Sequence, residues 1–318
     1  MRHRVLLDVD TGRDDALALM FAVLHPDIEI RAITCVEGNT GLENVVSNTL
    51  KILDLLDAPP IPVALGARRP LIEPPRDASW IHGVTGLGDV ELPVSAREPE
   101  QIHAVELMRR SILDSGTPLT IVALGPMTNI ALLLRTHPEV SDRIGRIIFM
   151  GGSATIGNAT PVAEFNFWHD PESAHIVLTS GIPLTMYGWD LLWSIKTSTP
   201  QIAELQASSN PIREVAGRLL GFEASDPSNG AKVLYNCIGD AGTLCVLVAP
   251  ELYDIVRWPV QLVLAAGPAR GQTLVDRRAI PGEDSVHDVA GDVPVIEVVG
   301  AARNAQILAL FFDTLGEA

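Results

Sequence analysis

Residues 4–24 read RVLLDVDTGRDDALALMFAVL, and this stretch decides the fold class. Its first part, residues 4–10, is a short apolar run of the kind that forms a strand buried on both faces. Residues 14–24 carry the apolar pattern of a helix, and two aspartates precede that pattern. A buried strand followed at once by a helix is the unit from which parallel α/β sheets are built.

The same alternation continues along the chain. Strands are predicted at 4–10, 29–36, 61–65, 118–124, 145–150 and 182–188, and helices at 14–24, 41–57, 99–115, 127–136, 171–180 and 200–220. Proline and glycine cluster at 58–92 and 266–293, which we interpret as long loops. No repeat or linker divides the chain, so we predict one domain over residues 1–318. It is an α/β domain with a mostly parallel Rossmann-like sheet flanked by helices and an active site at the C-terminal ends of the strands.

The composition excludes several classes of protein. Of the 318 residues 47% are hydrophobic and 19% charged, with a mean hydropathy of +0.24, which excludes disordered and fibrous chains. A formal net charge of −16 disfavours nucleic-acid polymers and anionic membranes as partners. Three cysteines are too few for a disulfide framework, and neither a signal peptide nor a membrane-spanning apolar stretch is visible. We therefore expect a cytoplasmic protein without a membrane partner.

Polar residues follow five of the predicted strands. Because ligands of open α/β sheets bind where the strands end, these segments are the candidate site. The segments are 8–15, 37–39, 124–129, 150–152 and 188–190.

Four aspartates cluster in the first of these segments. The period of a strand places Asp8 and Asp10 on one face, and the turn at Gly12 brings Asp14 and Asp15 back over the strand end. Like charges about 5 Å apart cost roughly 3 kcal/mol per pair at an effective dielectric constant near 20. The cluster therefore predicts shared protons or, more simply, a hard divalent cation. Asp14 and Asp15 alone could instead be first-turn acids that the helix dipole stabilises.

Residues 8–11 (DVDT) resemble the Asp-x-Asp opening of haloacid-dehalogenase-type phosphatases. That resemblance would make Asp8 a nucleophile, residues 239–240 the late acidic motif and magnesium the cofactor. The family also carries a lysine after a later strand. None of the three lysines of this chain follows a predicted strand; they are Lys51, Lys196 and Lys232.

A second resemblance covers most of the chain. Residues 8–19 (DVDTGRDDALAL) are similar to the signature Asp-x-Asp-x-Gly-x-Asp-Asp-Ala-x-Ala-Leu of the nucleoside hydrolase family. Further blocks resemble those of the family in the same order: EGNT at 37–40, HGVTGL at 82–87, LGPMTNIA at 124–131, MGG at 150–152 and the sugar-recognition block at 157–174. The resemblance implies a calcium-dependent enzyme that hydrolyses ribonucleosides to free base and ribose.

The same resemblance implies a role for each matching residue. Ca²⁺ would be held by Asp10, Asp15, Asp240 and the backbone carbonyl of Leu124, with the ribose 2′ and 3′ hydroxyls completing its shell. Asp10 would take the proton of the attacking water. Asp14, Asn166 and Asp240 would bind the ribose hydroxyls, Asn158 and Glu164 the 5′ hydroxyl, and Asn39 and Met150 the region of the ribose and the water. Three further acids are interpreted as supporting residues: Asp8, Asp170 and Asp190.

The chain departs from the family at one catalytic position. Many members have His-Asp where this chain has Gly239-Asp240, and that histidine donates a proton to the leaving base. Another group must therefore activate the leaving base, unless the protein binds ribose or a nucleoside without turnover. The candidates are His82, which we also place among the substrate-binding residues, and Trp80, Trp189, Trp193, Tyr235, Asn236 and Cys237. The family resemblance further implies a homodimer or homotetramer.

Overall fold

The computed structural model describes residues 2–280, 282–287 and 291–316. The strands are β1 (His3–Val9), β2 (Ile28–Cys35), β3 (Val63–Leu65), β4 (Leu119–Ala123), β5 (Ile144–Met150), β6 (Leu184–Tyr187), β7 (Glu223–Ser225), β8 (Lys232–Leu234), β9 (Tyr253–Leu262), β10 (Thr273–Val275) and β11 (Val295–Ala302). The helices are α1 (Arg13–Leu24), α2 (Leu42–Leu55), α3 (Ser79–His82), α4 (Ala104–Leu113), α5 (Thr128–Thr136), α6 (Phe165–His169), α7 (Pro171–Leu178), α8 (Trp189–Leu192), α9 (Thr199–Gln206), α10 (Pro211–Gly221), α11 (Ala241–Val248), α12 (Glu283–Val286) and α13 (Asn304–Thr314).

One large sheet organises the molecule. Its strand order is β10-β9-β11-β6-β5-β4-β1-β2-β3, and β7 and β8 form a separate two-stranded hairpin. Neighbouring strands from β11 to β3 are parallel, whereas β9 is antiparallel to both β10 and β11. The predicted fold class, an α/β domain with a mostly parallel sheet, is confirmed.

The chain changes direction across the sheet at β1. From β1 it proceeds to β2 and β3 on one side, then returns to place β4, β5 and β6 in order on the other side. The boundary between β1 and β4 is therefore a topological switch point, where the loops after the two strands separate and leave a crevice. This crevice lies directly after the aspartates of the first strand.

Both faces of the sheet are covered by apolar layers. In β1, Val5, Leu7 and Val9 pack into one core cluster and Leu6 into the other, as the two-residue period of a strand requires. Burying each such side chain contributes about 1.5–3 kcal/mol. These two layers make β1 a rigid support for the residues that follow it.

The six predicted strands and the first five predicted helices are present, with ends displaced by at most five residues. The prediction of one helix over 200–220 is wrong, because α9 ends at Gln206 and α10 begins at Pro211. Pro211 has no N–H for a continuing helix, and the Asn210 side chain accepts the Ile212 N–H and starts a new one. The predicted loop at 266–293 contains β10 and α12, and its residues 281 and 288–290 lie outside the described part.

Two further observations concern the cysteines and the helices. Cys35, Cys237 and Cys245 are buried free thiols. Within the described residues, no helix is long and apolar enough to cross a membrane.

Candidate active site

A cavity of about 240 Å³ is formed by residues that follow the strands at the switch point. Nine residues predicted for the site line it: Asp14, Asn39, His82, Leu124, Met150, Asn158, Glu164, Asn166 and Asp240. The other two, Asp10 and Asp15, are buried behind this lining, and Asn39 bonds to both of them. The fold thus brings all the predicted residues to one place.

Asp10 lies at the end of β1 where three strand ends converge. Its Oδ2 accepts a hydrogen bond from the Asn39 backbone N–H at 2.8 Å, while its Oδ1 is buried with no hydrogen-bond partner among the described residues. A Cβ at Gly38 would lie 2.1 Å from Oδ2, and a Cβ at Gly125 would lie 2.7 Å from Oδ1. Both positions must therefore be glycine for the loops to pass so close to this carboxylate.

Asp15 is held by backbone and side-chain donors in the first turn of α1. Its Oδ1 accepts the Asp10 N–H at 3.2 Å, and its Oδ2 accepts the Gly12 N–H at 3.0 Å and the Asn39 side-chain amide at 3.1 Å. Even so, burial and the Asp14 charge raise the pKa of Asp15 to about 7. Asp15 therefore caps its helix and still lies in a strongly anionic site.

Three carboxylates meet beside the cavity. One oxygen from each of Asp14, Asp15 and Asp240 lies within 4.8 Å of the others. The family resemblance implied Asp10, Asp15, Asp240 and the Leu124 carbonyl as ligands, whereas the acidic cluster predicted from the sequence already contained Asp14 and Asp15. Burial and the neighbouring acids raise the pKa of both Asp10 and Asp240 well above the usual range. A divalent cation that takes oxygen ligands would relieve this repulsion.

Asn166 ties the ends of two neighbouring strands together. Its side-chain amide donates to the Leu124 carbonyl at 2.8 Å, after β4, and to the Met150 carbonyl at 3.2 Å, at the end of β5. The Met150 sulfur is 3.4 Å from the same nitrogen. Leu124, Met150 and Asn166 therefore form one wall of the cavity.

Glu164 is the buried N-cap of α6. Its carboxylate accepts backbone N–H groups from Gly152, Asn166 and Phe167 at 2.9, 2.8 and 3.2 Å. Burial outweighs these donors and raises the pKa of Glu164 to about 7. Asn158, in contrast, is exposed, and its side-chain oxygen accepts the Phe165 N–H at 2.8 Å.

Each of the three acids interpreted as supporting residues accepts hydrogen bonds from groups outside the cluster of Asp14, Asp15 and Asp240. Asp8 accepts from Thr34 and Asn129 rather than joining the other aspartates, and burial raises its pKa to about 7. Asp190 accepts the Ser153 hydroxyl and the Ala154 N–H. Asp170 caps α7.

His82 presents a neutral imidazole to the cavity. Burial lowers its pKa to about 4. Its Nδ1 accepts the Arg13 backbone N–H at 3.3 Å and lies 3.5 Å from Asp14 Oδ1. Because Nδ1 acts as an acceptor, we assign the proton to Nε2. His82 can then donate a hydrogen bond but carries no charge near neutral pH.

Gly239 cannot be exchanged for histidine in this backbone. Its φ is +56°, and a Cβ there would lie 2.3 Å from the Asp14 Cβ. Five of the seven candidates for leaving-group activation line the cavity: His82, Trp80, Trp189, Tyr235 and Cys237. Trp193 and Asn236 are not among the lining residues; Trp193 stacks on Trp189 and Asn236 bonds to Thr197.

Sequence reasoning missed several lining residues. Arg76, Asp77 and Trp168 lie in or beside segments that were interpreted only as loop and sugar block, and Leu219 comes from α10. Arg13 belongs to the first quoted motif. A basic residue in the first turn of a helix opposes the helix dipole, and this signal could have identified it.

Comparison with known proteins identifies the family. The model of the inosine-uridine preferring nucleoside hydrolase family matches residues 5–301. The pyrimidine-specific ribonucleoside hydrolase RihA of Shewanella oneidensis is 41% identical over 282 residues, which cover 88% of each chain. RihA of Salmonella enteritidis is 38% identical over 290 residues, covering 91% of this chain and 93% of that one.

Solved structures agree with this assignment. A plant nucleoside hydrolase, PpNRh1, superimposes with a TM-score of 0.87 at 25% identity over 100% of both chains. A purine-preferring ribonucleoside hydrolase from Gardnerella vaginalis superimposes with a TM-score of 0.83 at 31% identity over 98% of both chains. These similarities favour the nucleoside hydrolase resemblance over the phosphatase resemblance. The chain belongs to the inosine-uridine preferring nucleoside hydrolase family and is a hydrolase that acts on N-glycosyl compounds.

Proposed function

We propose that this protein hydrolyses the N-glycosidic bond of ribonucleosides to free base and ribose, with Ca²⁺ as its metal ion. The observation that carries the proposal is the buried carboxylate cluster at the switch point, which adjoins a cavity lined by the sugar-recognition block. Pyrimidine ribonucleosides are the first substrates to test, because the curated relatives at 38–41% identity are named for pyrimidine specificity.

The residues fit a divalent cation. Asp10 Oδ1 and Asp14 Oδ1 are buried without hydrogen-bond partners in the described structure. Burial and, after it, repulsion from the neighbouring carboxylates raise the pKa of Asp15 and of Asp240. Asp10, Asp15, Asp240 and the Leu124 carbonyl would hold Ca²⁺. When bound, the ion would ligate the ribose 2′ and 3′ hydroxyls and make a nearby water more acidic.

The remaining chemistry belongs to the side chains. Asp10 takes the proton of the attacking water through a carboxylate that Asn39 orients. Asp14, Asn166 and Asp240 bind the ribose hydroxyls, and Asn158 and Glu164 bind the 5′ hydroxyl. The anionic groups around the sugar stabilise the positive charge that develops on it as the glycosidic bond breaks.

The substrate test compares ribonucleosides with their 2′-deoxy analogues. Purified protein with calcium is incubated with uridine, cytidine, inosine, adenosine, guanosine and 2′-deoxyuridine, and released sugar is measured. We expect ribose from at least uridine or cytidine. The deoxynucleoside should react at least 10⁴-fold more slowly, because it lacks a hydroxyl that buried polar groups need.

The outcomes separate the alternatives. Similar kcat/KM for uridine and 2′-deoxyuridine would contradict ligation of the diol. Tight binding of a nucleoside without release of ribose would indicate a binding protein without turnover. Phosphate release from monoesters, abolished by Asp8→Asn, would support the magnesium-dependent phosphatase instead.

Two further expectations stay predictions. We expect a homodimer or homotetramer, which light scattering in solution would test. We also expect a cytoplasmic location, which cell fractionation would test.

A further inference from the structure

Arg13 is a buried cation in the cavity wall that the proposed chemistry does not use. It is the first residue of α1, is 4% exposed, and lines the same cavity as Asp14, His82 and Tyr235. Its own backbone N–H supports His82. An ionised side chain at such a position requires a partner, because burying an uncompensated charge is costly.

The contacts of the guanidinium leave part of it unpaired. Nη1 donates to the Leu219 carbonyl at 2.9 Å, and the guanidinium carbon lies 5.0 Å from the centre of the Phe222 ring. Nε is buried and has no hydrogen-bond partner within the described ranges. Nor does any described carboxylate form a salt bridge with Arg13, although Asp14 is its neighbour in the chain.

A purely structural role accounts for some of these contacts. The Leu219 carbonyl belongs to the last turn of α10, where a positive charge is favourable. Against this gain, Arg13 lies in the first turn of α1, where the helix dipole disfavours a positive charge. The structural role also does not explain why Arg13 lines the cavity, or why its Nε is buried without a hydrogen-bond partner among the described residues.

Among the described candidates for leaving-group activation that line the cavity, none is a strong acid. Gly239 provides no side chain, and its backbone leaves no room for one. His82 is neutral, and burial raises the pKa of the Cys237 thiol to about 11 and raises that of Tyr235. A guanidinium stays charged and does not donate a proton, but it can stabilise an anion.

We propose that Arg13 stabilises the negative charge on the base as it leaves. This inference rests on the proposed function. The bond from C1′ to the base nitrogen breaks with its electron pair going to the base, and the water oxygen forms the new bond to C1′. Asp10 takes the water proton, and the base anion later takes a proton from solvent. The negative charge spreads onto the carbonyl oxygens of a pyrimidine, which the N–H groups of Arg13 are suited to bind.

The experiment compares two leaving groups. We would measure kcat/KM of the calcium-loaded wild type, Arg13→Met and Arg13→Lys for uridine and for p-nitrophenyl riboside, whose leaving group is already a stable anion. Arg13→Met should lower the value for uridine at least 100-fold and that for p-nitrophenyl riboside less than threefold. Arg13→Lys should lose less on uridine, because it keeps the charge.

Arg218→Met is the matched control. Arg218 lies on α10 and, like Arg13, donates to a backbone carbonyl, that of Asp89, but it does not line the cavity. Both substrates should stay within twofold of wild type in this variant. Circular dichroism and thermal melting establish that each variant is folded.

The result has three clear alternatives. Equal losses of kcat/KM on both substrates in Arg13→Met would mean that Arg13 only supports the structure. If the methionine variant does not fold, Arg13→Lys provides the same test. An unchanged rate on uridine would also overturn the inference. If wild type releases ribose from neither uridine nor p-nitrophenyl riboside, the proposed function itself fails.

Discussion

Gly239 shows how one residue constrains the chemistry of the whole site. Its left-handed backbone conformation and its close approach to the Asp14 Cβ belong together, because only a residue without Cβ satisfies both. Introducing a histidine at position 239 would therefore displace Asp14, because the new Cβ would overlap the Asp14 Cβ. The absence of a side chain at position 239 is therefore built into the backbone.

We predict that Gly239→Ala lowers both stability and activity. Left-handed strain costs about 1–2 kcal/mol, and displacement of Asp14 should reduce kcat/KM at least tenfold. Gly181→Ala is the matched control, since Gly181 has φ +79° with nothing within 4 Å of the added Cβ. Urea denaturation and ribose release measure the two effects. Equal stability losses in both variants, with full activity in Gly239→Ala, would contradict the prediction.

A second prediction concerns the proposed base. Asp10→Asn should reduce kcat at least 100-fold, because the loss of a general base costs about 10²–10⁴-fold. Asp190→Asn, which alters an acid that bonds to Ser153 outside the cavity lining, should stay within threefold of wild type. Circular dichroism checks that both variants are folded. Activity within threefold in Asp10→Asn would remove Asp10 from this role.

Glu164 leads to a prediction about pH. Its pKa is about 7 in the folded protein and about 4.5 as its ordinary value, so between these values the folded state holds a proton that the unfolded state has released. The free energy of unfolding should therefore fall as pH rises from about 4.5 to about 7, by up to about 1.4 kcal/mol per pH unit for this group. Urea denaturation at several pH values, in the presence of a chelator, measures this change in the free energy of unfolding.

Glu164→Gln should make this decline shallower. The exposed Glu91→Gln serves as the control, and its pH dependence should match that of wild type. An identical decline in Glu164→Gln and wild type would show that Glu164 does not hold the extra proton.

At the scale of elements, Asp170 joins three segments. Its Oδ1 accepts the Ser173 N–H and caps α7, while its Oδ2 accepts the Thr128 hydroxyl at the start of α5 and the Leu71 N–H. This one carboxylate therefore holds α5 and α7 in register with the loop before α3. Asp170 itself belongs to the block at 157–174 and directly follows α6.

We predict that Asp170→Ala lowers the free energy of unfolding by about 3 kcal/mol. Loss of the cap costs about 1 kcal/mol, and the buried donors left unpaired cost about 1–3 kcal/mol. Ser198→Ala removes an exposed cap on α9 and should cost only about 1 kcal/mol. Urea denaturation compares the two. Equal costs would mean that Asp170 acts only as a helix cap.

At the scale of the whole molecule, charge and metal are linked. The chain carries a formal net charge of −16, and several of its acids are buried together at the switch point. Burial of these acids and the repulsion between them lower the free energy of unfolding, and a bound cation would reduce that loss. The unfolded chain separates the same acids and would bind the cation weakly.

We predict that calcium raises the melting temperature. An ion that binds only the folded state stabilises it by about 2.7 kcal/mol at a hundredfold excess over Kd. Thermal melting with calcium and with a chelator measures the shift. The double variant Asp15→Asn, Asp240→Asn should lose this calcium-dependent rise in melting temperature. If complete removal of metal changes neither melting nor activity, the acids share protons instead.

The local pattern of the sequence was sufficient for the α/β fold class and for some of the segments that line the cavity. A strand and a helix are defined by periods of two and 3.6 residues, which can be read over short distances. Contacts between distant segments depend on strand order and on where helices break. The separation of Asp8 from the other aspartates and the contact of Arg13 with Leu219 were therefore decided only by the tertiary structure. The same holds for Gly239, because its need for glycine arises from the nearness of Asp14, which is distant in the chain.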